Sequence, residues 1–257
     1  MSETSALEHV LRHDRLIFAG GIAAVMALAW AYLLAGAGID MSMADMPMDP
    51  TPWTPSYAVL VFVMWLTMMV AMMISSAAPM VLLFAALKRK QSATPSPLAE
   101  AWIFLCGYLV IWAGFSLAAT LTQWQLDLAG LLSMAMAATS ATLASGVLLL
   151  AGLYQFTPLK RACLRYCQSP VLFLSRHWQP GTAGALRMGL RHGLYCLGCC
   201  WFLMALLFVG GVMNLLWIVG ITVYVACEKL LPVGHRLSYA AGAALIVAGL
   251  IVLVHTT

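Results

Sequence analysis

The sequence predicts an all-α, polytopic membrane bundle of seven transmembrane helices, with the N-terminus cytoplasmic and the C-terminus periplasmic. Three observations predict it. First, the 257 residues are 63% hydrophobic and 9% charged, against about 25% charged in soluble domains; so apolar a surface needs lipid as its solvent. Second, the apolar residues come in runs matching the roughly 20 residues a helix needs to cross the hydrocarbon core, without the alternation of barrel strands. Third, all 13 Lys and Arg fall in one alternate set of the segments between those runs, the pattern that marks cytoplasmic loops. Residues 1–257 read as a single membrane domain with no internal repeat and no large soluble part.

Taken in order, the first span covers about 16–38. Arg12 and Arg15 precede it, and Ala35-Gly36-Ala37 at its end resembles a signal-peptide cleavage site. The apolar run is longer than the about 7–15 residues of a usual signal peptide, so it reads as a retained span. The second span, about 57–87, is long enough to tilt or to kink at Pro79. The third and fourth cover about 101–121 and 129–154. From His192 to Cys227 the chain is apolar for 36 residues, too long for one crossing. Gly210-Gly211 is the natural turn, which gives spans five (192–209) and six (212–228). The seventh is about 238–254.

With that division the basic residues lie in 1–15, 88–100, 155–191 and 228–237. None lies in 39–56, 122–128, the 210–211 turn or the tail after 254. The 155–191 segment is the longest outside the membrane. Thr157-Pro158 and Ser169-Pro170 each read as an N-cap followed by Pro at the first helical position, predicting short helices over about 158–167 and 170–178. Gln179-Pro180-Gly181 is a turn, and a helix starting near Thr182 runs into span five. Trp30, Trp53, Trp112, Trp124 and Trp178 fall near span ends and read as interfacial anchors.

Sulfur dominates the candidate ligands. Met41, Met43, Met46 and Met48 crowd the outer loop beside Asp40, Asp45 and Asp49. Thioethers are soft ligands that suit Cu(I), and the carboxylates raise the local cation concentration. The plainer reading packs these methionines on the bilayer surface. In span two, Met64, Met68 and Met72 form an i, i+4, i+8 stripe, and Met69 and Met73 a second pair. They make either a thioether ladder or ordinary core filling.

The seven cysteines, Cys106, Cys163, Cys167, Cys196, Cys199, Cys200 and Cys227, all map to the cytoplasmic half, as free thiols in a reducing compartment do. Cys163 and Cys167 share a helix face. His192, Cys196 and Cys200 form another stripe with Cys199 beside it; where the two stripes meet they make a thiolate-rich metal site, and the plainer reading packs these thiols as small hydrophobes. Cys163, Cys167, Cys196 and Cys199 suit a tetrahedral zinc site. If the methionines also bind, copper is favoured over zinc. Glu100, Glu228 and Lys229 sit at span ends and read as solvated or paired. No P-loop, nucleophile elbow, H-E-x-x-H or dinucleotide fingerprint occurs, so no catalytic or cofactor-binding residue is named and enzymatic activity is not expected. The basic residues read as orientation signals, not as a nucleic-acid surface.

Two segments carry a family resemblance. One is Trp65-Leu66-Thr67-Met68-Met69-Val70-Ala71-Met72-Met73, with Pro79 downstream. The other runs from Gly184 through Arg187, Arg191-His192-Gly193, Cys196 and Cys199-Cys200-Trp201 to Met204, Met213-Asn214 and Glu228-Lys229. Over roughly residues 55–232 the chain resembles a bacterial family of predicted metal-binding integral membrane proteins. The resemblance implies metal binding, carried by Met68, Met69, Met72, Met73, His192, Cys196, Cys199 and Cys200, and implies no reaction. The loop 41–48 lies outside it. The leading expectation is a multi-pass protein of the bacterial inner (cytoplasmic) membrane that binds or moves a soft transition metal such as Cu(I). A scaffold with a structural cysteine-bound zinc and a membrane redox protein are the alternatives. The expected partners are the lipid bilayer, the metal ion and another membrane or periplasmic protein.

Overall fold

A computed structural model describes residues 3–36, 53–90, 97–133 and 136–255. Its helices are α1 Glu3–Leu34, α2 Pro55–Lys90, α3 Pro97–Leu128, α4 Ala141–Tyr154, α5 Pro158–Gln168, α6 Pro170–His177, α7 Gly181–Ala205, α8 Leu207–Gly210, α9 Leu215–Leu230 and α10 Gly234–Val254. The expected all-α architecture is present. The outer methionines Met41, Met43, Met46 and Met48 lie outside the described residues.

Local chemistry sets the helix ends. Thr157 and Ser169 accept the backbone N–H of Lys160 and Leu172, with Pro158 and Pro170 at the first turns of α5 and α6. Asn214 caps α9 through the Trp217 N–H, and Ser140 caps α4 through that of Leu143. Each supplies an acceptor to a donor that the first helical turn leaves unpaired. Gly211, at φ 92°, takes the left-handed turn that separates α8 from α9 at the expected dipeptide. α7 runs unbroken from Gly181, as read from the sequence, and α2 continues through Pro79 as one helix.

Among the described residues, five stretches are long and apolar enough to cross a membrane: Leu16–Leu34, Pro55–Arg89, Leu98–Leu128, Gly181–Gly210 and Gly234–Val254. A sixth is reached if α4 and α5 are joined across the 66° bend between them. The difference from seven lies in α4 and α9, which have 14 and 16 residues, short of the roughly 20 a crossing needs. Span four starts later than expected because the chain turns at Gly130 and Met136, both at positive φ. The stretch 122–128, expected as an outer loop, is the last two turns of α3, held there by a buried Gln123 that accepts the Trp65 Nε1–H at 2.7 Å. Trp112 also departs from its expected place. It is buried in the core instead of standing at an interface.

Glycine makes the tightest helix contact. A Cβ on Gly107 would sit 2.6 Å from the Leu186 carbonyl oxygen, one on Gly189 would collide with the Phe104 carbonyl, and one on Gly193 would meet Ile111 at 2.9 Å. Small residues let α3 and α7 approach backbone to backbone, the usual way apolar helices associate where water supplies no drive. Gly198 does the same for α5, whose Cys163 sulfur would be 2.8 Å from a Cβ there. Met64, Met68, Met69, Met72 and Met73 are all buried, so α2 presents thioethers to the core on both predicted stripes.

Buried ion pairs join the basic ends of the helices. Lys88 of α2 meets Glu100 of α3 at 2.7 Å, with the ammonium 5.0 Å from the Trp178 ring. Lys160 of α5 meets Glu228 of α9 at 2.6 Å. Glu228 also accepts Tyr224 Oη at 3.0 Å and Ser238 Oγ at 2.5 Å, which brings in α10.

Substitutions in the glycine contacts and the ion pairs check this packing by thermal unfolding in detergent. Gly189→Ala is expected to destabilise by about 1–3 kcal/mol, the scale of overpacking a filled interface. Gly114→Ala, where a Cβ meets open space, is expected to change stability by less than about 0.5 kcal/mol. Glu228→Gln strands the buried Lys160 ammonium and is expected to lose about 3–5 kcal/mol, most of it recovered in Lys160→Met/Glu228→Gln.

Candidate metal centre

Cys196 and Cys200 lie one turn apart on α7, with Cys199 between the same turns. The helix pins these thiols: Cys199 and Cys200 each donate to the Cys196 carbonyl oxygen at 3.0 Å. The glycine contact with α3 sets Tyr108 against them, its hydroxyl 3.1 Å from Cys196 Sγ and donating to the Met73 carbonyl at 3.1 Å. From α2, Met73 brings its Sδ to 4.0 Å from Cys200 Sγ. From α9, Lys229 directs its ammonium into the same space. Its Nζ lies 2.9 Å from Cys196 Sγ, 3.2 Å from Ser76 Oγ, 3.9 Å from Cys200 Sγ and 4.0 Å from Met73 Sδ. Four helices thus meet around two thiols, one thioether and one ammonium, all buried.

The other candidates surround this point. Cys167 on α5 is 3.9 Å from Cys199, sulfur to sulfur. Cys163 packs on α7 beside Gly198. His192, one turn before Cys196, lies in an aromatic enclosure. It stacks on Tyr108 at 5.5 Å between centroids, with Phe173 at 5.3 Å and Phe104 at 6.0 Å. Its Nδ1 is buried without a hydrogen-bond partner, an uncommon state for a polar atom in a packed interior. Met68, Met69 and Met72 are buried on α2, above and beside Met73.

Among the described residues, no three Cys, His, Asp or Glu side chains form a metal-sized group. What is gathered is mixed sulfur, the soft donor chemistry that suits Cu(I). A profile of the PpoB2 family, described as copper chaperone, matches residues 62–252, a range that holds every residue of this centre. The chain belongs to this family. Copper is therefore the metal that this multi-pass membrane protein handles. No curated protein and no solved structure matches the chain. The PpoB2 match confirms the metal-binding character implied by the sequence resemblance and names its metal.

Sequence reasoning missed two members of the centre. Lys229 read as an interfacial charge, although it continues the buried face of Ile218, Thr222 and Val225 on α9, a periodicity that points it inward. Tyr108 carried no signal, because only the α3–α7 approach brings it to Cys196. A further thioether, Met136, was also missed. It is buried, its Sδ accepts the Gln123 amide at 3.2 Å, and its backbone holds φ 54°, a conformation costly for a residue with a Cβ.

Proposed function

We propose that the protein binds Cu(I) within the membrane through Met73, Cys196 and Cys200, and moves it between outer methionines and cytoplasmic thiols. Met41, Met43, Met46 and Met48 capture the ion. Met68, Met69 and Met72 lead it along α2 to Met73. Cys199, Cys167 and Cys163 receive it, with His192 and its unpaired Nδ1 beside the path. The single observation that carries this reading is the 4.0 Å approach of Met73 Sδ to Cys200 Sγ, where the thioether stripe of one helix reaches the thiol stripe of another. Weak thioethers next to stronger thiols suit passage, since an ion must bind well enough to enter and weakly enough to leave.

The chain takes the seven-span topology, N-terminus in the cytoplasm and C-terminus in the periplasm, in the bacterial inner membrane. The one-sided distribution of all 13 basic residues supports it, as do the buried pairs Lys88–Glu100 and Lys160–Glu228 at the helix ends that carry the basic loops. A membrane redox role is the second reading, favoured by the 3.9 Å separation of Cys167 and Cys199 sulfurs, a pair near enough to form a disulfide after a small movement.

Copper analysis of purified protein and of cells separates the readings. Changing Cys196, Cys199 and Cys200 together to Ser is expected to abolish bound Cu(I). Met68→Leu/Met72→Leu is expected to leave the fold intact and lower cellular copper transfer. Unchanged copper in both sets overturns the copper path, and a shifted thiol potential in Cys167→Ser alone then supports the redox role. For topology, Ser175→Cys is expected to react with an impermeant maleimide only from the cytosolic side and Met46→Cys only from the periplasmic side. The reverse pattern overturns the orientation.

A further inference from the structure

We propose that Lys229 sets the charge of ion the centre accepts, selecting monovalent Cu(I) over divalent metals. This rests on the Cu(I) centre proposed above and adds a specificity determinant to it. Lys229 is 3% exposed, and a buried ammonium requires a counter-charge. Among the described residues, the other two buried lysines have carboxylates, Lys88 from Glu100 and Lys160 from Glu228. Lys229 has none among the described residues. Its chain neighbour Glu228 is engaged by Lys160, Tyr224 and Ser238. The ammonium faces sulfur and hydroxyl alone, Cys196 at 2.9 Å, Ser76 at 3.2 Å, Cys200 at 3.9 Å and Met73 at 4.0 Å.

A metal-bound cysteine is a thiolate. Two thiolates carry two negative charges, and the neutral thioether of Met73 adds none. Cu(I) and the ammonium supply one positive charge each, so the loaded centre is neutral. Zn(II) or another divalent ion in the same place leaves one unmatched positive charge, in an interior where unpaired charge is expensive. The Lys229 ammonium has no free lone pair to give a metal and acts from outside the donor set, through its contact with Cys196. A neutral residue at 229 inverts the balance: the divalent ion then gives the neutral centre and the monovalent ion leaves a net negative charge.

The test measures Ag(I), Cu(I) under reductant, and Zn(II) affinities of the full chain in detergent micelles. Ag(I) serves as a monovalent probe without redox chemistry. In Lys229→Met the monovalent affinities are expected to fall on the order of 30-fold or more, the scale of removing one partner of a buried charge pair, while Zn(II) affinity rises. Lys229→Arg is expected to keep the wild-type order. Cys196→Ser/Lys229→Met removes one charge of each sign and is expected to regain the monovalent preference. Lys229→Gln gives the same reading if the methionine variant does not fold. A folded neutral variant with the wild-type ratio of Ag(I) to Zn(II) affinity overturns the role of Lys229 and leaves the centre standing. A wild-type protein that binds neither Cu(I) nor Ag(I) overturns both.

Discussion

Charge buried among apolar helices must find a partner, and this requirement organises the basic end of the bundle. Three lysines point inward from α2, α5 and α9. Lys88 and Lys160 each take a carboxylate at 2.7 and 2.6 Å, and those pairs fix the end of α2 against α3 and α5 against α9. Paired charges of this kind add little net stability compared with well-packed apolar residues, yet losing one partner is severe. Their consequence is a fixed arrangement, because separating either helix pair would strand an ion. The third lysine meets sulfur instead of a carboxylate.

The second constraint is steric. Nothing in the composition of α3 announces a contact with thiols, since it holds a single exposed cysteine, Cys106. The absence of a side chain at Gly107 and Gly189 lowers α3 onto α7 until the Tyr108 hydroxyl reaches Cys196. The glycines thus act on the centre at one remove. They position the tyrosine, the tyrosine ties the thiol to the backbone of α2, and α2 contributes the thioether. Tyr108 bonds to the Met73 carbonyl as well as lying beside Cys196, so α2, α3 and α7 converge on one point without any residue being adjacent in sequence.

Much of this was legible from local sequence. Capping chemistry predicted α5 and α6 because Thr157-Pro158 and Ser169-Pro170 decide helix starts within a few residues. Gly210-Gly211 predicted a turn for the same reason. The i, i+4 spacing of His192, Cys196 and Cys200 marked the correct face of α7. Apolar content did less well at span four, because residues 129–140 are as hydrophobic as a helix, while Gly130 and Met136 turn the chain and Leu132 and Ala138 form a backbone bridge. It also misread Trp112 as an interfacial anchor, although it falls in the middle of the predicted third span and is buried in the core. Lys229 was hidden for a different reason. A charge at the end of an apolar run has two solutions, solvent or an internal partner, and the partner here sits on other helices.

The chemistry of the centre follows from mixing donors of unequal strength in a dry place. A larger set of thiolates accumulates negative charge that the interior of a bundle tolerates poorly. A set of thioethers alone supplies no charge to offset the ion. Met73 beside Cys196 and Cys200 lies between those limits, and the ammonium of Lys229, 2.9 Å from the nearer sulfur, keeps the loaded site neutral in the proposed centre. In that proposed centre, one side chain outside the ligand set adjusts which ion is held.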